Sequence, residues 1–156
     1  MKLVREYINE KFTEESDPIK DLGIGQRHLI EIWLKENDLT NCIINKDLTI
    51  NSNSEIILTN KSLINGKLPN YIQFNIVYEA VEAYGTKLNS LRGFPYEIRK
   101  KGHYYGNLYV INNELATLEH IPKIIDGNVA VYDNKVHFSN KYIKSLSKIG
   151  RDILRN

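Results

Sequence analysis

Arginine, lysine, histidine and tyrosine stand side by side in one run, Arg99-Lys100-Lys101-Gly102-His103-Tyr104-Tyr105. Its adjacent cations suit phosphates or carboxylates, and its rings suit stacking on bases or on a protein surface. The same composition also fits a solvated loop. A second basic set lies in the tail, where Lys141, Lys144, Lys148, Arg151 and Arg155 follow at steps of 3, 4, 3 and 4. With Ile143, Leu146, Ile149 and Ile153 on the opposite side, that spacing predicts a basic amphipathic helix over 140–155. Such a stripe suits nucleic acid or an acidic protein groove, and equally the wet side of a helix that closes one end of a fold.

Residue patterns for catalysis are not met. His28, His103, His120 and His137 have no neighbours at zinc-ligand spacing, and the single cysteine, Cys42, has no pair. Gly23-Ile24-Gly25-Gln26 has two glycines but neither a preceding strand nor the Lys-Ser/Thr of a phosphate loop. Glu14-Glu15 reads as part of a linker, and no nucleophile sits in a recognisable motif with a His and an acid. The expectation is a binding protein rather than an enzyme, with no cofactor and no metal.

What positions the basic run is an internal repeat. Gly106-Asn107-Leu108-Tyr109-Val110-Ile111-Asn112-Asn113-Glu114-Leu115 returns 21 residues later as Gly127-Asn128-Val129-Ala130-Val131-Tyr132-Asp133-Asn134-Lys135-Val136. Fainter copies start near Val81 and Ile56, with Thr86 and Lys61 in place of the Asn, so the starts Ile56, Val81, Leu108 and Val129 are 25, 27 and 21 residues apart. The pattern apolar-x-apolar-x-x-Asn-x-apolar matches the strand and turn of a leucine-rich repeat, and the spacing falls in its period of roughly 20–29 residues. Return arms ending Pro69-x-x-Ile72, Pro95-x-x-Ile98 and Pro122-x-x-Ile125 keep the same phase. In this register the basic run is an insertion of six residues relative to the last unit, and insertions in a solenoid emerge as loops on one face.

Strand alternation sends Ile56, Leu58, Val81, Ala83, Leu108, Val110, Val129 and Val131 inward. The outer face then carries Ile57 and Thr59, Glu82 and Tyr84, Tyr109 and Ile111, Ala130 and Tyr132. Two roles fit Tyr84, Tyr109 and Tyr132: a contact surface of large stiff rings, or stacking across strands. Asn113 and Asn134 read as structural, their amides satisfying backbone groups at the turn.

The chain before the repeats predicts helices over 3–12 and Gln26–Glu36, with a short turn at Asp17-Pro18 between them, and residues 1–40 are read as a helical cap. Trp33 is read as core. Residues 43–50 fit a strand or hairpin, and Asn51-Ser52-Asn53-Ser54 a turn. At 156 residues with one cysteine, one domain without disulfides is expected. Residues 1–50 carry seven Lys/Arg against ten Asp/Glu and residues 51–156 carry fourteen against nine, so the head is acidic and the body basic. No apolar run has the length of a membrane span and no leader pattern opens the chain, which predicts a soluble intracellular protein. The class expected is α+β: helical cap, repeat array over 43–138, and C-terminal capping helix.

The run Lys11-Phe12-Thr13-Glu14-Glu15-Ser16-Asp17-Pro18-Ile19-Lys20-Asp21-Leu22-Gly23-Ile24-Gly25, the Asp47-Leu48-Thr49-Ile50 segment, Leu68-Pro69-Asn70-Tyr71-Ile72-Gln73-Phe74 and the Asn-Asn-x-Leu repeats together resemble short leucine-rich-repeat-like proteins of tailed bacteriophages and prophages. The resemblance covers nearly the whole chain. It departs where the usual Cys-x-Asn-Asn becomes Val110-Ile111-Asn112-Asn113 and Val131-Tyr132-Asp133-Asn134. It implies a phage product in the cytoplasm of an infected bacterium, binding a host protein or ribonucleoprotein complex and blocking a defence system such as CRISPR. Partner contacts would then fall on Arg99, Lys100, Lys101, His103, Tyr104 and Tyr105 with Tyr84, Tyr109 and Tyr132. The alternatives are nucleic-acid binding through the loop with Lys141, Lys144, Lys148 and Arg151, and a virion protein addressed by Met1–Phe12.

Overall fold

Repetition of residues becomes repetition of strands. The computed structural model describes residues 25–156; the expected first helix over 3–12 and the Asp17-Pro18 turn lie outside them. In chain order the elements are α1 (Gln26–Glu36), β1 (Cys42–Ile44), β2 (Ile50–Ser52), β3 (Ile56–Leu58), β4 (Phe74–Tyr78), β5 (Ala80–Tyr84), β6 (Glu97–Arg99), β7 (Asn107–Ile111), β8 (Ile124–Ile125), β9 (Val129–Ala130), α2 (Asn140–Leu146) and β10 (Lys148–Ile149). They form an α+β fold around a stacked parallel β-solenoid of about four turns.

The sheet β3-β5-β7-β9 is wholly parallel, and its register is the one the repeat predicts: Ile56 pairs with Val81, Val81 with Leu108, and Leu108 with Val129. The expected inward residues are all buried. Each contributes roughly 1–3 kcal/mol of apolar burial, depending on its size. A second sheet, β1-β2-β4-β6-β8-β10, takes in the expected hairpin as β1 and β2, runs through the return arms, read only as connections, as β4, β6 and β8, and ends on β10 in the tail. Its inward ladder Val77, Ile98 and Ile125 contains the last residue of two Pro-x-x-Ile arms. Each turn therefore carries two short strands, and the core lies between the two sheets. The arms of β6 and β8 each turn a single residue of a short strand inward and carry no repeated Asn to mark their phase, which is why this sheet was hidden in the sequence.

Side-chain amides close the turns. Asn113 Oδ1 accepts from Thr86 N–H (2.8 Å), the Thr86 hydroxyl (2.9 Å) and Leu88 N–H (3.2 Å), while its Nδ2 donates to the carbonyls of Ala83 (2.8 Å) and Ile111 (3.0 Å). Asn134 repeats the device one turn on, accepting from Leu115 N–H at 3.1 Å and donating to Val110 O at 2.9 Å. The corner just before each of these positions is left-handed, at Gly85 (φ 58°) before Thr86, Asn112 (57°) before Asn113 and Asp133 (54°) before Asn134, residue types that tolerate it. At the opposite corner Asn107 Oδ1 accepts from Asn128 N–H (2.8 Å), and Asn128 Oδ1 from Asp152 N–H (3.0 Å). A Cβ on Gly127 would stand 2.9 Å from the Gly106 backbone, so the repeated Gly-Asn pair is a packing requirement.

Helix α1 has the bounds its apolar spacing predicts and buries Leu29, Ile30, Ile32, Trp33 and Leu34. Trp33 is core: its indole N–H donates to Ser62 O at 3.2 Å and its ring meets Phe74 edge-on. Segment 43–50 is a hairpin, β1 antiparallel to β2. Asn51 and Ser52 belong to β2 rather than to a turn.

The tail departs from expectation. α2 stops at Leu146, because Ser147 turns extended (ψ 141°) and its buried hydroxyl donates to Pro122 O at 2.5 Å. The chain then exchanges helical hydrogen bonds for sheet ones: Lys148 N–H reaches Lys123 O and Gly150 N–H reaches Ile125 O, both at 2.8 Å. β10 adds to β8, and Ile153 bridges to Val129, so the segment read as one helix over 140–155 is a short helix plus the start of another turn. Isoleucines four apart fit a helix face, and they also fit successive flats of a solenoid whose last strands still offer unpaired backbone groups.

Candidate functional site

The two outer surfaces of the solenoid differ in kind. On the sheet β3-β5-β7-β9 the outward residues fall in rows set by the register: Ile57, Glu82, Tyr109 and Ala130 in one, Tyr84 beside Ile111 in the next, with Tyr132 following β9. Ile57 and Tyr84 are each about half exposed, at 49% and 50%. The alternation read from sequence is correct here, except that Ala130 is fully buried. Strands about 4.8 Å apart bring these side chains into contact range. Burial, then Glu82, Tyr109 and Tyr132, raise the Tyr84 phenol above its ordinary value of 10.0.

Glu82 is the residue the sequence reading placed on this face without singling out. Its carboxyl is held above the ordinary 4.5, first by burial and then by repulsion from Glu55. Its register neighbours are Ile57 and Tyr109, and Tyr84 stands two residues along its own strand. Among the described residues it has no ion pair. The signal was present in Ala80-Val81-Glu82-Ala83-Tyr84, an acid alternating with small and aromatic residues and with no cation at i±2.

The basic run forms the expected loop between β6 and β7, and Lys100 through Tyr105 are exposed. Its cations are less free than its composition suggests. Arg99 Nε donates to Asp126 Oδ2 at 3.1 Å and Nη1 to Glu97 Oε1 at 3.2 Å. Lys101 Nζ donates to Asn53 O at 2.7 Å, two turns back along the stack. Lys101 and Tyr104 exchange backbone hydrogen bonds, with Gly102 at φ 58° completing the turn. Tyr105 lies under the Arg151 guanidinium, 4.0 Å from its ring centre, so loop and tail meet. Lys100 and His103 are exposed at the loop's outer edge.

The structure separates the other predicted site residues. Lys141 and Lys144 are exposed on α2, Lys148 lies on β10 and Arg151 beyond it, so they do not share one helical stripe. The loop meets the start of β7, whereas Tyr84 and Tyr132 lie at the opposite ends of their strands. A cleft of about 370 Å³ opens at the C-terminal end, with Val131, Phe138 and Ile143 on its floor and His137 and Arg155 at its rim. Asn140 Oδ1 there accepts from Arg155, and Asn156 donates to Asp133. Among the described residues no helix is long and apolar enough to cross a membrane.

No protein-family model, curated protein or solved structure matches the chain.

Proposed function

We propose that the protein is a non-enzymatic binding module whose contact surface is the outer face of β3-β5-β7-β9. The observation that carries this reading is the shared outer face of Tyr84, Tyr109 and Tyr132 with Ile57 and Ile111, an aromatic and aliphatic surface on hydrogen-bonded parallel strands. The partner is a protein. Outward strand positions on this face carry a carboxylate, Glu82, and no lysine or arginine, a sign of charge that repels a phosphate backbone.

The repeat register and the Asn113/Asn134 ladder support kinship with short leucine-rich-repeat-like phage proteins, in which case α1 and α2 act as end caps. On that kinship the partner is a host protein or ribonucleoprotein complex in the infected bacterial cytoplasm, with a defence assembly such as a CRISPR effector the leading candidate. Nucleic-acid binding through Lys100, Lys101, Lys141 and Lys144 is the competing reading, supported by their exposure and weakened by the engagement of Arg99 and Lys101 with the protein's own groups.

A pull-down from bacterial lysate, with and without nuclease, separates the two. Wild type would be compared with Tyr84→Ala/Tyr109→Ala and with Lys100→Ala/Lys101→Ala. The expected result is a discrete protein that survives nuclease and is lost with the tyrosine pair. Material that is lost to nuclease and to the lysine pair alone would overturn the reading.

A further inference from the structure

The two sheets handle an outward carboxylate in opposite ways. On β6, Glu97 stands in a register row between Ile76 and Ile124, and the residue two positions on, Arg99, supplies a guanidinium at 3.2 Å. On β5, Glu82 stands in a register row between Ile57 and Tyr109, but the residue two positions on is Tyr84. No cation of the described chain pairs with it. A partner that covered this face with apolar groups alone would strip water from Glu82 and return nothing for it.

We infer that the partner segment docking on this face places an arginine or lysine over Glu82, between the Tyr84 and Tyr109 rings, with apolar side chains on either side meeting Ile57 and Ile111. This deepens the binding reading above and rests on it. The molecule already contains the same local chemistry in two halves: Arg99 bridging Glu97 and Asp126, and Arg151 lying on the Tyr105 ring at 4.0 Å. A guanidinium over Glu82 combines them, a charge-assisted hydrogen bond below and ring faces at the sides. Glu55, just before β3, adds a second negative charge near the same point, so the face selects for positive charge at this end of the stack and against it nowhere else on the strands.

The test uses the full chain, ¹⁵N-labelled, and three capped peptides: Leu-Val-Arg-Val-Leu, the same with citrulline at the centre, and the same with glutamate. Amide shifts at Glu82, Tyr84 and Tyr109 report binding to the face. The arginine peptide should bind about twofold to fivefold more tightly than the citrulline peptide, the factor expected of one partly exposed ion pair. Glu82→Gln should erase that difference, and Glu82→Arg should move the preference to the glutamate peptide. Equal binding of arginine and citrulline peptides, shifts confined to other surfaces, or no shifts at millimolar peptide would each overturn the inference. Failure of the parent reading is seen separately. If lysate capture depends on Tyr84 and Tyr109 but ignores Glu82→Gln, the face stands and the cationic occupant falls; if it ignores all three, both fall.

Discussion

Tyr84 and Tyr96 are the same residue type at the same exposure, 50% and 51%, on opposite surfaces of one solenoid. Tyr96 borders a surface that satisfies itself: Arg99 spans Glu97 and Asp126, Asn75 donates to Asn51 Oδ1, and backbone bonds run from Tyr96 N–H to Asn75 O and from Lys123 N–H to Tyr96 O. Tyr84 borders a surface of rings and isoleucines whose central acid has no cation. One winding thus produces two faces from the same periodicity, and the difference lies in which outward groups find partners within the chain. On the proposed reading, exposure combined with unmet chemistry is what marks the contact surface, and exposure alone is not.

The largest expected effect should strike both faces alike, since it falls on the frame they share. Asn113→Ala leaves the backbone groups of Thr86, Leu88, Ala83 and Ile111 without their amide, and should lower unfolding free energy by about 3 kcal/mol in urea titrations. A loss below ~1 kcal/mol would mean that the amide is not what closes the turn. Next comes the contrast itself. Tyr84→Ala should weaken partner capture by at least about tenfold, the range of an interface hot spot, and Tyr96→Ala by less than about twofold. Equal effects would break the comparison.

A smaller change tests the frame from the other direction. Gly93 (φ 87°) and His120 (φ 69°) occupy equivalent corners of successive turns, and a Cβ on Gly93 would lie 2.5 Å from Ile72 O. His120→Gly should therefore stabilise the protein by up to about 1 kcal/mol in thermal or urea unfolding, and Gly93→Ala should destabilise it. Arg99→Ala should cost about 0.5 kcal/mol, fading at high salt because both partners are partly exposed, and should leave partner capture intact.

The smallest effect is titration of Glu82. Its folded carboxyl binds protons more readily than the ordinary 4.5 because burial and Glu55 disfavour its charge, with Tyr84 and Tyr109 its other titratable neighbours. The folded state thus holds more protons than the unfolded one in this window, so Glu82 withdraws stability as pH rises from below 4.5 through its raised value. Glu82→Gln should remove that component, so the variant's stability minus that of wild type, read from urea midpoints, should rise from pH 4 to pH 7. A difference that falls would reverse the assigned sign.

Much of this fold could be read from the sequence where residues repeat with chemical reason. The register of Ile56, Val81, Leu108 and Val129 is legible in the sequence, because an Asn five positions on from Leu108 and from Val129 marks the phase and the inward positions are apolar. Helix α1 was legible from its broad apolar face. The sheet through Ile98 and Ile125 was not, since each of those arms turns a single residue inward and no repeated Asn marks its phase. The tail misled because Ile149 and Ile153 satisfy helical and solenoid spacing at once, and only the open edges of β8 and β9 decide between them. At the site, charge composition pointed to Arg99, Lys100 and Lys101, but composition does not see Asp126 arriving from the next turn or Asn53 from two turns back. Glu82 could be placed on the outer face from the alternation of Ala80–Tyr84, but that no cation stands across from it needed the strands on either side.

The central claim is that the face bearing Tyr84 is the contact surface. Replacing either Tyr84 or Tyr96 with a photo-crosslinking phenylalanine analogue, at matched exposure, and irradiating each protein in bacterial lysate tests it most directly. The account predicts a discrete, nuclease-resistant crosslinked species from position 84 and none from position 96. The same species from position 96 alone, or equally from both, would contradict it.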